Sequence, residues 1–205
     1  PEIGPGTFLD GMRHPGWTLR MLRSEPIQFS SAIGSGAGDG ADAVSLAEYS
    51  AAQFDPGLSW RDVEWLQSVW DGPIVLKGIQ TVADARMAAD AGVAAVAVSN
   101  HGGRQLDTAP VPLELLPEVV EAVGHRIEVI CDGGVRRGSD IVKACALGAT
   151  AVMAGRAHMY GLGAAGERGV DHVLELMRSG MERTMALVGS ATVADLDPSL
   201  VRLRT

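Results

Sequence analysis

The sequence predicts an α/β fold built on a parallel sheet, and three observations carry that expectation. Four short apolar runs recur, a helical pattern separates each from the next, and the residues able to do chemistry cluster just after the runs. Strands alternating with helices build a parallel sheet with helices outside it. An open doubly wound sheet and a closed (β/α) barrel both satisfy the pattern. In either one, ligands gather at the carboxyl ends of the strands.

The runs are Ile74 to Ile79 (IVLKGI), Ala94 to Val98 (AAVAV), Ile127 to Cys131 (IEVIC) and Ala151 to Ala154 (AVMA). Each is too short for a buried helix and rich in Val or Ile, as strands buried on both faces should be. Before the first, Ser59 and Asp62 cap an expected helix reaching Trp70, with Val63, Leu66 and Val69 on one face. Thr81 and Asp84 form a capping pair ahead of Ala85 to Ala91, and Gly92 stops that helix. Leu113 to Val123 is apolar at Leu116, Val119, Val120 and Val123, which is helical spacing, and Gly124 follows. Ser139 to Leu147 repeats the plan with Gly148. Val170, Val173, Leu174, Met177 and Met181 then mark a long amphipathic helix whose Met stripe belongs to the core. Ser45 to Phe54 reads as another short helix. The glycine-rich stretch 30–43 reads as a mobile loop, because it lacks the preceding strand and the Lys-Ser/Thr of a phosphate loop.

Of 205 residues, 46% are apolar and 20% charged, and the net charge is -8. An acidic chain without a run of Lys or Arg excludes nucleic acid as the expected partner, since phosphate-backbone binding draws on clustered positive charge. Cys131 and Cys145 have no CxxC spacing, so neither a zinc site nor a disulfide framework is indicated, and a reducing cytoplasm fits. No apolar stretch reaches the about 18 residues of a spanning helix, and the N-terminus does not read as a signal peptide. The chain begins at Pro1, so a processed, nicked or partial product is expected.

Each run is followed by its own chemical set. The first ends in Lys77; after the second come Ser99, Asn100, His101, Gly102, Gly103 and Arg104. Asp132, Gly133, Gly134, Val135 and Arg136 follow the third, and Gly155 and Arg156 the fourth. Glycine pairs permit positive φ and close backbone approach, which suits a cofactor phosphate held by N–H groups. Arg136 and Arg156 supply bidentate-capable charge for such a dianion. The imidazole of His101 suits a general base, with Arg104 beside it as a carboxylate anchor. Lys77 ends an otherwise apolar strand, where charge is costly unless it meets a ligand or counter-ion. It fits a flavin-side lysine or a Schiff-base lysine equally well.

The stretches VLKGI, VSNHGGRQLD, DGGVRRGSDIVKACALGA and AGRAHMYGL resemble the FMN-dependent L-2-hydroxy acid dehydrogenase and oxidase family, which includes L-lactate dehydrogenase, glycolate oxidase and mandelate dehydrogenase. The likeness runs from about Phe54 to about Leu196 with the four motifs in order and spacing. It implies a TIM (β/α)8 barrel, with residues 45–205 as its C-terminal half carrying strands five to eight. Residues 1–44 would be the variable excursion after strand four. By the same resemblance, Lys77 meets the flavin N1/O2 edge, Ser99 lines the cofactor site and Asp132 meets the ribityl chain. Gly133, Gly134, Arg136, Gly155 and Arg156 hold the phosphate. His101 is the base and Arg104 binds the substrate carboxylate. Hydride transfer and a carbanion route need the same residues and stay open.

The resemblance further implies FMN, a small 2-hydroxy acid, a quinone or other electron acceptor, and a homo-oligomer. The stretch after the last strand looks most like the actinobacterial L-lactate dehydrogenase branch, which makes L-lactate the expected substrate; His158 and His172 need no metal. A whole barrel takes about 250 residues, so the N-terminal half, from the same parent chain or a nicked fragment, is an expected partner. The excursion is expected to form a lid or covering helix. Its alternative is a membrane contact through Phe8, Leu9, Met12, Trp17, Met21 and Leu22 beside Arg13, Arg20 and Arg23, at the inner face of the membrane. Two other functions remain open: a (β/α)-barrel lyase or isomerase using Lys77, and a non-catalytic module binding a phosphate ligand.

Overall fold

Four parallel strands pair in the order of the sequence, and that order decides between the two candidate architectures. The computed structural model describes residues 5–23 and 55–203. Two helices, α1 (Pro5–Arg13) and α2 (Pro15–Arg23), come first. There follow α3 (Trp60–Val69), β1 (Val75–Ile79), α4 (Val82–Asp90), β2 (Ala95–Ser99), α5 (Pro112–Val123), β3 (Glu128–Asp132), α6 (Gly138–Ala146), β4 (Ala151–Met153), α7 (Arg156–Ala165) and α8 (Glu167–Val188). A doubly wound sheet reverses its strand order at a switch point; this one does not. With right-handed crossovers, an unreversed order puts every connecting helix on one face of the sheet. The other face is the inside of a barrel.

Packing follows that division. Val96 and Val98 of β2, Val129 and Cys131 of β3, and Leu116, Val119 and Val123 of α5 are at most 1% exposed and form one core between sheet and helices. Burying each such side chain stabilises the fold by about 1.5–3 kcal/mol. Helix entries follow the caps read from the sequence: Thr81 Oγ1 accepts the Asp84 amide at 3.0 Å. Ser59 and Asp62 form the capping box, the Ser59 amide donating to Asp62 Oδ2 at 2.6 Å and its hydroxyl to the same oxygen at 3.1 Å.

Three expectations need correction. Only β2 is buried along its whole length; Val75 of β1 is 48% exposed and Met153 of β4 41%. The reason is that β1 and β4 are the edges of a sheet that does not close. Helix α7 was not foreseen, because its run RAHMYGLGAA is small and glycine-rich and carries little apolar periodicity. On α8 the Met stripe is core at Met177, but Leu174 on the same expected face is 54% exposed.

The chain divides into two units, Pro1–Leu58 and Ser59–Thr205. Within the first, α1 and α2 bury no residue, and the Thr18 hydroxyl donates to the Gly11 carbonyl at 2.7 Å across their junction. The expected loop 30–43 and the expected helix over 45–54 lie outside the described residues.

Candidate active site

The period of two in β2 aims Ala95, Ala97 and Ser99 at the barrel side, and the parallel register sets Asp132 directly opposite Ser99. Lys77 reaches across from β1. Its Nζ stands 2.8 Å from Asp132 Oδ2 and donates to Ser99 Oγ at 3.3 Å. Ser99 in turn donates to Asp132 Oδ2 at 2.6 Å and accepts the His101 amide at 3.1 Å. Ser99 is fully buried, so its hydroxyl would be costly to leave unpaired, and here its hydrogen and both lone pairs are used. Burial works against the charge of Asp132, but hydrogen bonds from Lys77 and Ser99 and the Lys77 charge outweigh it and hold the carboxyl below its ordinary range. The counter-ion that Lys77 required is therefore Asp132.

Beyond β2 the chain turns sharply. His101, Gly102 and Gly103 all take left-handed φ values of 54°, 69° and 72°. Asn100 Nδ2 donates to the Pro110 carbonyl at 3.3 Å and closes the base of the loop. His101 and Arg104 are both exposed on it. Among the described residues the Arg104 side chain has no hydrogen bond or ion pair, which leaves its five donors for a ligand.

The ends of β3 and β4 form a cradle. A cavity of about 180 Å³ is lined by Asn100, Gly102, Gly103, Gly133, Gly134 and Arg156, with Val111 and Pro112 behind. Gly133 sits at φ 128°, and a Cβ there would stand 3.1 Å from Pro112 Cγ and partly fill the space. Gly155 precedes α7, whose first amides have no side-chain cap, so a helix N-terminus is available to an anion. Arg156 Nη2 donates to the Gly102 carbonyl at 2.9 Å and ties the cradle to the His101 loop. These residues fit a phosphate-bearing cofactor. Arg136 does not line the cavity; its amide and that of Arg137 both donate to Asp140 Oδ2 at 3.0 Å, while its side chain is exposed.

The structure thus gathers Lys77, Ser99, Asp132 and the His101 backbone into one cluster, and Gly133, Gly134 and Arg156 into another. Arg104 and Arg136 remain at the rim. Sequence reasoning missed Asn100 as the loop's tie and Gly78 beneath it. A glycine inside a strand was the signal available for the second.

A sequentially ordered parallel sheet with a glycine-lined cavity at its third and fourth strand ends matches part of a (β/α)8 barrel, of which this chain carries four strands. The chain belongs to the FMN-dependent dehydrogenase family, whose model matches residues 1–203. It is 44% identical over 198 residues to the putative L-lactate dehydrogenase of Mycobacterium tuberculosis, covering 97% of this chain and 46% of that protein. It is 51% identical over 143 residues to the pre-mycofactocin synthase of Mycolicibacterium smegmatis, covering 70% of this chain and 36% of that protein. The crystal structure of the monotopic membrane protein (S)-mandelate dehydrogenase superposes with a TM-score of 0.89 at 38% identity, over 99% of this chain and 53% of that one. The chain therefore spans about half the length of the relatives it matches.

Proposed function

We propose that the protein oxidises a small L-2-hydroxy acid, L-lactate first among them, to the 2-oxo acid, with His101 as base and Arg104 as carboxylate anchor. The observation that carries this is the loop itself: an exposed imidazole and a guanidinium without a partner among the described residues lie three residues apart, rooted through Ser99 in the Lys77–Asp132 pair. Arg104 binds the carboxylate bidentately and so sets which side of the α-carbon faces the cofactor. His101 takes the proton released from the hydroxyl or the α-carbon. Gly133, Gly134, Gly155 and Arg156 would hold the phosphate of FMN, with Arg136 at the rim, and Lys77 would lie beside its ring; bound there, FMN would supply the two-electron acceptor, reoxidised by a quinone or another acceptor. A Schiff-base lysine needs a free amine, whereas Lys77 is ion-paired with Asp132, which favours the flavin role.

The exposed edge strands, with Val75 of β1 48% and Met153 of β4 41% exposed, support completion of the barrel by an N-terminal half, and a homo-oligomer is part of the same reading. So is a peripheral position on the cytoplasmic face of a membrane, supported by exposed Phe8, Met12, Trp17 and Leu22 beside Arg13, Arg20 and Arg23. Cosedimentation with anionic vesicles, lost on Trp17→Ser with Leu22→Ser, checks it.

The activity is tested by anaerobic addition of L-lactate, then mandelate and glycolate, to the flavin-loaded protein. Bleaching of the flavin band by an L-2-hydroxy acid, and not by D-lactate, is expected. A flavin band that none of these acids moves would overturn the proposal and direct attention to substrates without a 2-hydroxy acid group.

A further inference from the structure

Gly78 lies where β1 breaks its own alternation. Lys77 pairs with Ala97, but the next pair is Ile79 with Val98, so two residues of β1 oppose one of β2. This is a β-bulge, with Gly78 at φ 93°. Unbroken alternation would put Ile79 on the same face as Lys77. The bulge turns it instead into the helix-side core, where it is 8% exposed with Val96 and Val98.

The space this leaves is taken by the His101 ring. A Cβ on Gly78 would stand 2.7 Å from His101 Cε1, 3.4 Å from Nε2 and 3.7 Å from Nδ1. No hydrogen bond holds the ring among the described residues. Its backbone is pinned by Ser99, and the bare backbone of Gly78 is its floor.

We propose that Gly78 is a positioning residue for His101, the bulge and the missing side chain together setting where the imidazole lies above the Lys77 end of the sheet. This rests on His101 being the base. A methyl group on Gly78 must move the ring from 2.7 Å to an ordinary carbon contact of about 3.5–4.0 Å. The ring is exposed and swings away easily, so the fold survives, but a base displaced by about 1 Å loses about 10²-fold in rate.

The test measures the rate of flavin reduction and the substrate dissociation constant in the FMN-loaded protein. Gly78→Ala is compared with Gly92→Ala, a glycine at φ 76° whose added Cβ meets only Gln67 Nε2, at 3.9 Å. Expected are a fall of about 10²-fold in reduction rate for Gly78→Ala with substrate affinity and FMN retention little changed, and an unchanged rate for Gly92→Ala. Gly78→Asn presents the same Cβ with less backbone strain and should behave alike. In a His101→Ala background, adding Gly78→Ala should cost nothing more, because the displaced ring is gone.

A full additional loss in that background would overturn the inference, and so would failure of both Gly78 variants to hold FMN while Gly92→Ala does. If His101→Ala loses turnover but Gly78→Ala keeps it, the positioning role alone is wrong. If His101→Ala keeps full turnover, the proposed base falls and the role of Gly78 falls with it.

Discussion

Replacing Asp132 by Asn removes the charge from the Lys77 pair and leaves the shape of the hub intact. At the observed 2.8 Å and an effective dielectric of about 20, the Coulomb attraction is about 6 kcal/mol before solvation is charged against it. The pair is half-open, since the Lys77 side chain is 38% exposed and that of Asp132 14%. Exposed pairs contribute about 0.2–1 kcal/mol, and removing one partner from a buried pair costs about 3–5 kcal/mol. The half-open pair belongs between them, at about 2 kcal/mol. The carboxyl of Asp132 is held below its ordinary value of 3.8, so its contribution is complete above that value and is lost as pH falls through the lower folded one. The gap in stability between Asp132→Asn and the parent should therefore be about 2 kcal/mol near neutrality and should close as the solution is acidified past the ordinary carboxylate range. Urea unfolding followed by circular dichroism over a pH series measures both. A gap that stays constant into strong acid, or no gap near neutrality, would refute the assignment of the ion pair as the source.

Arg104→Lys should raise the Michaelis constant for the hydroxy acid about tenfold or more, because an ammonium cannot bind a carboxylate in the bidentate manner of a guanidinium; steady-state kinetics against L-lactate shows it. Arg156→Ala removes both a cradle charge and the 2.9 Å bond to Gly102, so FMN affinity should fall about tenfold or more, read by fluorescence titration of the released flavin. Burial, reinforced by the Asp132 charge, pushes the Cys131 thiol up to about 11. Iodoacetamide under mildly alkaline conditions should therefore leave Cys131 unlabelled until the protein is denatured, as peptide mass spectrometry will report.

The local elements were legible because their signals are local. Thr81 with Asp84, the apolar spacing of Leu116, Val119 and Val123, and the short Val/Ile runs each depend on neighbours within a turn or a strand. The order of the motifs along the chain also set Lys77, Ser99, Asp132 and Arg156 at successive strand ends, where the structure places them. Arg136 shows where this stops: the sequence sets it beside Gly134, but it does not line the cavity, and its amide serves the cap of α6.

By itself, then, the sequence determined the β/α alternation, the family and the set of polar residues at the strand ends. Only the tertiary structure decided that Ser99 is a buried hub between Lys77, Asp132 and the His101 backbone, that Arg156 braces the loop at Gly102, and that Gly78 makes room for the His101 ring. The physical reason is range. Periodicity and capping act over a few residues, whereas these contacts, the Ser99 bond to the His101 amide apart, join residues 22 to 54 positions apart, and the sheet's register and a one-residue bulge help place them.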